Sequence, residues 1–220
     1  ITGSGNLTAS AWINYGSPQL AGNNSGFSGR FTVNWSNAMR MKFNSPESGS
    51  SNAWWELNGP TGDGNSLTFS GGTIYFGAMS GGGQMRSPAG NTIVVGGLNT
   101  NCTYSGNFNG ANLVIRKVGT AAFALTGAAN YTGGTQINGG TMVFSNATAF
   151  GSGNIAFGGG TLRHGVTFTQ DLSAKIVNSA ADIAVDDGGQ SVTYATALAA
   201  SNKGGLTKKG AGTLTLAVQP

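Results

Sequence analysis

Few residues in this sequence can do acid–base, nucleophilic or metal chemistry, and their spacing decides how far that chemistry reaches. There are seven acids: Glu47, Glu56, Asp63, Asp171, Asp182, Asp186 and Asp187. Only Asp186 and Asp187 are adjacent, and Gly188-Gly189 follows them, the pattern of a tight turn. The stretch "GPTGDGNSL" at 59–67 carries one acid, whereas a calcium-binding repeat needs several aligned carboxylates. His164 is the sole histidine and Cys102 the sole cysteine, poor provision for a zinc site. No nucleophile elbow accompanies His164. Gly81-Gly82-Gly83 is not followed by the Gly-Lys-Ser/Thr of a phosphate loop. The expectation is a chain with no catalytic residue, no metal and no cofactor.

What remains is aromatic and basic. "AMRMKF" at 38–43 alternates, with Arg40 and Lys42 on one face of an extended strand and Met39, Met41 and Phe43 on the other. "AWWEL" at 53–57 sets Trp54 and Trp55 on opposite faces, so one is exposed unless something covers it. A tryptophan beside cations can stack on a sugar ring or a partner surface. Trp54, Trp55, Arg40 and Lys42 are therefore the candidate ligand-binding set. The competing reading is that both tryptophans line or cap a core. Elsewhere the eleven basic residues are dispersed, and a nucleic-acid binder clusters more charge than this.

The elements that would hold these residues follow from composition. Glycine is 39 of 220 residues and charged residues are 8%, against a usual level of about 25%. A helical bundle is excluded, because glycine weakens helices and the charged helix faces are missing. Collagen is excluded by five prolines and no glycine triplet. Aromatic content of 9% with a net charge of +4 does not suit disorder. An all-β chain with many tight turns is left. No run of about 20 apolar residues predicts a transmembrane helix. The first residue is Ile1 rather than Met, which is expected of a processed chain or a piece of a longer one.

Internal similarity is the strongest organising signal. "LTFSGGTIYFG" at 67–77 matches "IAFGGGTLRHG" at 155–165, which aligns Phe69 with Phe157. "IRKVGTAAFAL" at 115–125 matches "LTKKGAGTLTL" at 206–216, which aligns Lys117 with Lys208. These offsets predict a single domain of about two large units, approximately 1–106 and 107–205, and the start of a third. Inside each unit, strand pieces of three to five residues alternate with Gly, Asn and Ser corners. Short strands that turn a corner every few residues describe a β-solenoid. At roughly 20–25 residues per rung, about nine or ten rungs are expected. A β-sandwich is the alternative, and the small-residue bias and long repeats disfavour it. In "ALTGAANYTGGTQINGGTMVF" at 124–144, Leu125, Ile137, Met142 and Phe144 are the expected inward side chains. A helical turn at 192–203 is a minor alternative.

The stretches at 125–144, 147–162 and 204–216 resemble the autotransporter-associated β-strand repeat, also called the passenger-associated transport repeat. Tyr131, Gly133, Gly134, Gly139 and Gly140 occupy the places of its Asn-x-Tyr-x-Gly-Gly and glycine-led strand. The likeness is close over 115–162 and looser over 1–77, and the insert at 34–63 departs most. The resemblance implies a right-handed parallel β-helix, secreted or displayed on a bacterial surface, with the repeat itself a scaffold. A fibre, adhesin stalk or passenger is expected, with end-to-end stacking of copies into a filament as one form of assembly. A glycan- or host-surface-binding module using the tryptophan insert, and a polysaccharide-degrading solenoid, are the alternatives.

Overall fold

The computed structural model describes residues 1–10, 18–34, 40–59, 66–69, 72–88 and 90–217. Trp35 and Asp63 therefore lie outside the described residues, as does the side chain of Arg40. The described chain is all-β: its helical content is two short 3-10 turns, Pro46–Ser48 and Ser173–Lys175. The segment 192–203 begins in a strand and contains no helix.

Among the described residues every strand pairing is parallel, and the strands form four sheets. The first sheet contains β1 (Leu7–Ser10), β3 (Arg30–Asn34), β5 (Ser50–Leu57), β7 (Thr73–Ser80), β9 (Thr92–Val95), β12 (Val114–Lys117), β14 (Gly134–Ile137) and β16 (Ile155–Phe157). The second contains β10 (Cys102–Tyr104), β13 (Ala122–Leu125), β15 (Thr141–Phe144), β17 (Thr161–His164), β18 (Ile183–Asp186) and β20 (Leu206–Lys209). The third contains β2 (Gln19–Leu20), β4 (Arg40–Phe43), β6 (Ser66–Phe69), β8 (Met85–Arg86) and β11 (Phe108–Asn109). The strands β19 (Ser191–Tyr194) and β21 (Thr213–Leu216) make the fourth.

The chain visits these sheets in turn, as in β9, β10, β11 and then β12, so each circuit lays one rung on the last. This is a β-solenoid, with about eight turns along its longest sheet. The expected nine or ten rungs are reached only along the face where Gly81 bridges to Tyr104. There the first strands run on into the second sheet. The eight-residue strand β7 makes this switch: Thr73–Phe76 pair with β9, whereas Ala78–Ser80 pair with β5.

Alternation of side chains explains why a rung cannot stand alone. In β13 and β15, Phe123, Leu125, Met142 and Phe144 point inward and are buried, while Ala124 and Val143 stay half-exposed. The same holds for Ile137. Register then stacks like on like, with Phe123 on Met142 on Leu162, and Leu125 on Phe144 on His164. One continuous core results, and each rung's inner face is covered by its neighbours. Phe69 and Phe157 are both buried, Phe69 on the third sheet and Phe157 on the first.

Candidate functional site

The tryptophan insert is the first place to look for a surface with chemistry. Trp55 is fully buried. Its ring centroid lies 5.1 Å from that of Phe31, 5.7 Å from Phe43 and 5.4 Å from Phe76. Its indole N–H donates to the Ser50 carbonyl at 3.0 Å. Trp55 is thus a core residue with its one polar group satisfied, and its place in the candidate ligand set is corrected. The cause is a wide rung that needs a large side chain at that inward position.

Trp54 points the other way and is half-buried. Its Nε1 donates to Ser80 Oγ at 2.9 Å. Arg30, its register partner on the neighbouring strand, sets its guanidinium carbon 4.9 Å from the indole centroid. Arg30 also pairs with Glu56 at 3.3 Å, and Thr32 donates to the same carboxylate oxygen. The cation beside Trp54 is therefore Arg30. Arg40 and Lys42 lie on the third sheet, between β2 and β6, whereas Trp54 lies on the first. The fold does not bring the proposed pair of cations and the tryptophan onto one sheet. Arg30 could have been found by the 24-residue step to Trp54, once a rung length was known.

The repeat positions have structural roles that the geometry defines. Tyr131 is buried over Phe108, with ring centroids 6.5 Å apart, and its hydroxyl meets Thr135 Oγ1 at 2.7 Å. Burial pushes its phenol well above the ordinary value. Gly133 sits where a Cβ would stand 2.6 Å from the carbonyl oxygens of both Asn112 and Leu113, so only hydrogen fits. Gly140 turns the next corner with φ of +58°, a conformation that other residues adopt at a cost. Gly134 and Gly139 complete the same two corners.

Lys117 faces inward, stacked between Val95 and Ile137, and is buried. Its amine curls to the corner, donating to the carbonyls of Val118, Gly119 and, one rung on, Gly139 at 3.2 Å. Burial lowers its pKa to about 8, and the nearby Cys102 thiol acts in the opposite direction. Burial pushes the Cys102 thiol up. Lys208 repeats the arrangement at its own corner, donating to Gly210 O at 2.8 Å, and forms an ion pair with Asp187 of the preceding rung.

Asp186 and Asp187 close a turn. Asp186 Oδ1 accepts from Gly188 N, and Asp187 Oδ1 accepts from Gly189 N and, from the next rung, Gly212 N, all at 2.8 Å. Burial acts to raise the Asp187 pKa, but Lys208 and the two backbone donors outweigh it and hold the carboxyl below its usual range. His164 is buried, stacked on Phe168 at 5.2 Å, with Nδ1 3.1 Å from the Phe168 carbonyl and Nε2 3.5 Å from the Tyr194 hydroxyl. Burial lowers its pKa, against the pull of that carbonyl and of Asp187 and Asp186. Among the described residues there is no group of three or more His, Cys, Asp or Glu side chains able to hold a metal ion. No described helix is long and apolar enough to cross a membrane.

Corner glycines, an inward lysine that caps its own corner, and a tyrosine stacked across rungs define a repeat-built β-solenoid. The model of the passenger-associated-transport-repeat matches residues 115–144 and 206–218, so the chain carries this repeat in the regular rungs and at its last described corner. Among curated proteins and solved structures, nothing matches the chain significantly. The repeat and the solenoid fit a passenger-type surface protein.

Proposed function

We propose that this solenoid is the rod of a secreted or surface-displayed bacterial protein, serving as a spacer and display scaffold. The observations that support it are the continuous core, covered rung by rung from Phe27 to Tyr194, and the transport-repeat match over 115–144 and 206–218. A quasi-linear stack of this kind gains length by adding rungs and needs no closed end to be stable internally. Deletion of residues 115–134, one rung by the Ile115–Thr135 register step, tests the scaffold. The expected product keeps its β-sheet circular dichroism and is shorter by about 4.8 Å in solution scattering. Loss of all structure on removing that one rung would overturn the one-dimensional picture. Antibody against the rod should label intact source cells, and labelling only after permeabilisation would refute surface display.

End-to-end stacking of copies is the finer form of this reading. Lys117 reaches a carbonyl of the following rung, whereas the side chain of Lys208 is 36% exposed on a sheet-margin strand. A further rung laid on β20, from the same chain or from a second copy, would receive Lys208 as Gly139 receives Lys117. Light scattering and electron microscopy of concentrated protein should show filaments, and monomers alone would count against stacking.

A further inference from the structure

The corner that leads into β5 holds a cavity that none of the readings above uses. Its volume is about 390 Å³, within the range of small-ligand sites. Its lining includes Tyr75, Glu47, Asn23, Ser25, Ser51 and Gly49. Its place has a packing cause. Tyr75 is an outward residue of β7, between the buried Ile74 and Phe76, and is 45% exposed. On one side its register partner is Val94. On the other, the pairing of Ser50 with Phe76 sets Gly49 beside it. A Cβ on Gly49 would stand 2.3 Å from the Tyr75 carbonyl oxygen, so that position carries no side chain. The phenol therefore has no side-chain neighbour at the register position of the earlier rung.

The polar groups of the wall are held in place by bonds between rungs. Glu47 sits on the 3-10 turn Pro46–Ser48, and Asn24 of the preceding rung ties that turn down. The Asn24 backbone N–H donates to the Glu47 carbonyl at 2.8 Å, and its side-chain amide to the Ser48 carbonyl at 2.9 Å. Asn23 Oδ1 accepts from Ser25 N at 2.9 Å and from Ser25 Oγ at 2.6 Å, which leaves the Asn23 amide nitrogen as a donor. The Ser25 carbonyl in turn accepts from Ser50 Oγ and Asn52 Nδ2, both at 3.2 Å. Among the described residues the Glu47 carboxylate has no ion pair. It is the one charged side chain among the described lining residues. A wall fixed before any ligand arrives lowers the entropic cost of binding.

We propose that this cavity binds a neutral pyranose ring with equatorial hydroxyls, as in a β-linked glucan. The axial C–H bonds of such a ring make an apolar face that suits an aromatic side chain, and its hydroxyls leave from the rim. Tyr75 supplies the aromatic ring, and the Glu47 carboxylate accepts from two neighbouring hydroxyls in charge-assisted bonds. The Asn23 amide and the Ser51 hydroxyl supply donors. A sugar hydroxyl both gives and accepts a hydrogen bond, so it answers a carboxylate and an amide N–H together. A quaternary ammonium ion also suits a tyrosine beside a carboxylate. Such an ion accepts no hydrogen bond, so the Asn23 and Ser51 donors would stay unmatched. An acidic sugar would be repelled by Glu47.

The test is isothermal titration of the full chain with cellohexaose, beside tetramethylammonium chloride. Binding of cellohexaose is expected, with little change on added salt because the ligand is neutral. Tyr75→Ala and Glu47→Gln should each weaken it about tenfold, by loss of the stacking face and of the charge-assisted bonds. Tyr75→Phe, which keeps the ring, should stay within about threefold of wild type. Tyr75 and Glu47 are both exposed, so the variants should keep the wild-type circular dichroism. Glu47→Gln, on a turn outside the sheets, decides the matter if Tyr75→Ala fails to fold. No binding of cellohexaose, unchanged affinity in the folded variants, or binding of tetramethylammonium that the same variants abolish would overturn the proposal. Its failure leaves the scaffold reading intact, since the rung deletion uses no ligand.

Discussion

The rungs before β9 and those after it solve one problem with different materials. In the earlier part the register step is 24 residues, from Phe31 to Trp55 to Met79. The space is filled by aromatic rings: Phe27, Phe31, Phe43, Trp55, Phe69 and Phe76 in mutual contact. In the middle rungs the step falls to 20 residues, from Ile115 to Thr135 to Ile155, and it returns to 23 from Leu162 to Val185 to Lys208. There the buried residues mix aliphatic side chains with phenylalanine and tyrosine but include no tryptophan, and Lys117 and Gly139-Gly140 build the corner. In the 24-residue circuit the buried Trp55 indole fills part of the enclosed volume. A shorter circuit turns more sharply, so backbone carbonyls crowd at its corners and need donors and glycines. The transport-repeat match falls in the second kind of rung and in the last described corner.

The largest test of this contrast is Trp55→Ala. Removing a fully buried indole should cost about 3–5 kcal/mol, read as a shift of the denaturation midpoint. Hydrogen exchange should then show lost protection in β3, β5 and β7, with β12 to β17 retained. Equal loss throughout would mean that the two kinds of rung form one cooperative unit. Next comes Lys208→Met, which leaves the buried Asp187 with only its two backbone donors. A cost of about 2 kcal/mol is expected from chemical denaturation, the scale of a hydrogen bond to a charged group.

Lys117→Met sharpens the corner argument through pH. A base whose folded pKa, about 8, lies below its unfolded value of 10.5 binds fewer protons when folded. Stability therefore rises with pH between those two values. Wild type should gain about 1–2 kcal/mol over Lys117→Met from pH 8 to 10, because the carbonyl contacts that favour the charged amine offset part of the shift. Parallel pH profiles for the two proteins would show that folding leaves the proton affinity of the Lys117 amine unchanged. The smallest effect is Trp54→Ala, at about 1 kcal/mol for the lost stacking of Arg30 and the Ser80 bond. A loss as large as that of Trp55→Ala would erase the distinction between the inner and outer faces of β5.

Much of this is legible in the sequence. Alternation in "TMVF" gives the buried Met142 and Phe144, because a strand's period of two leaves no other arrangement once one face is covered. The match of Lys117 with Lys208 marks a strand–corner–strand unit. What it conceals is that Lys117 lies on the first sheet and Lys208 on the second. The repeat encodes a corner, and a corner of the same kind serves wherever the chain turns. For the candidate site, sequence alternation separated Trp54 from Trp55 but did not say which faced inward. It also joined Arg40 and Lys42 to them on proximity in sequence, while the fold set them on different sheets.

The sequence by itself determined the class of this protein: short strands, glycine corners, no helix-forming charge and a repeat that must stack to cover its inner face. Those are local properties, fixed by φ preferences and the two-residue period of a strand. Only the tertiary structure decided which residues become neighbours across rungs. Arg30 meets Trp54 through a 24-residue step, and Arg86 stands above Thr68 through an 18-residue one. Corner and insert lengths vary from rung to rung, so that register exists only once the rungs have been laid on one another.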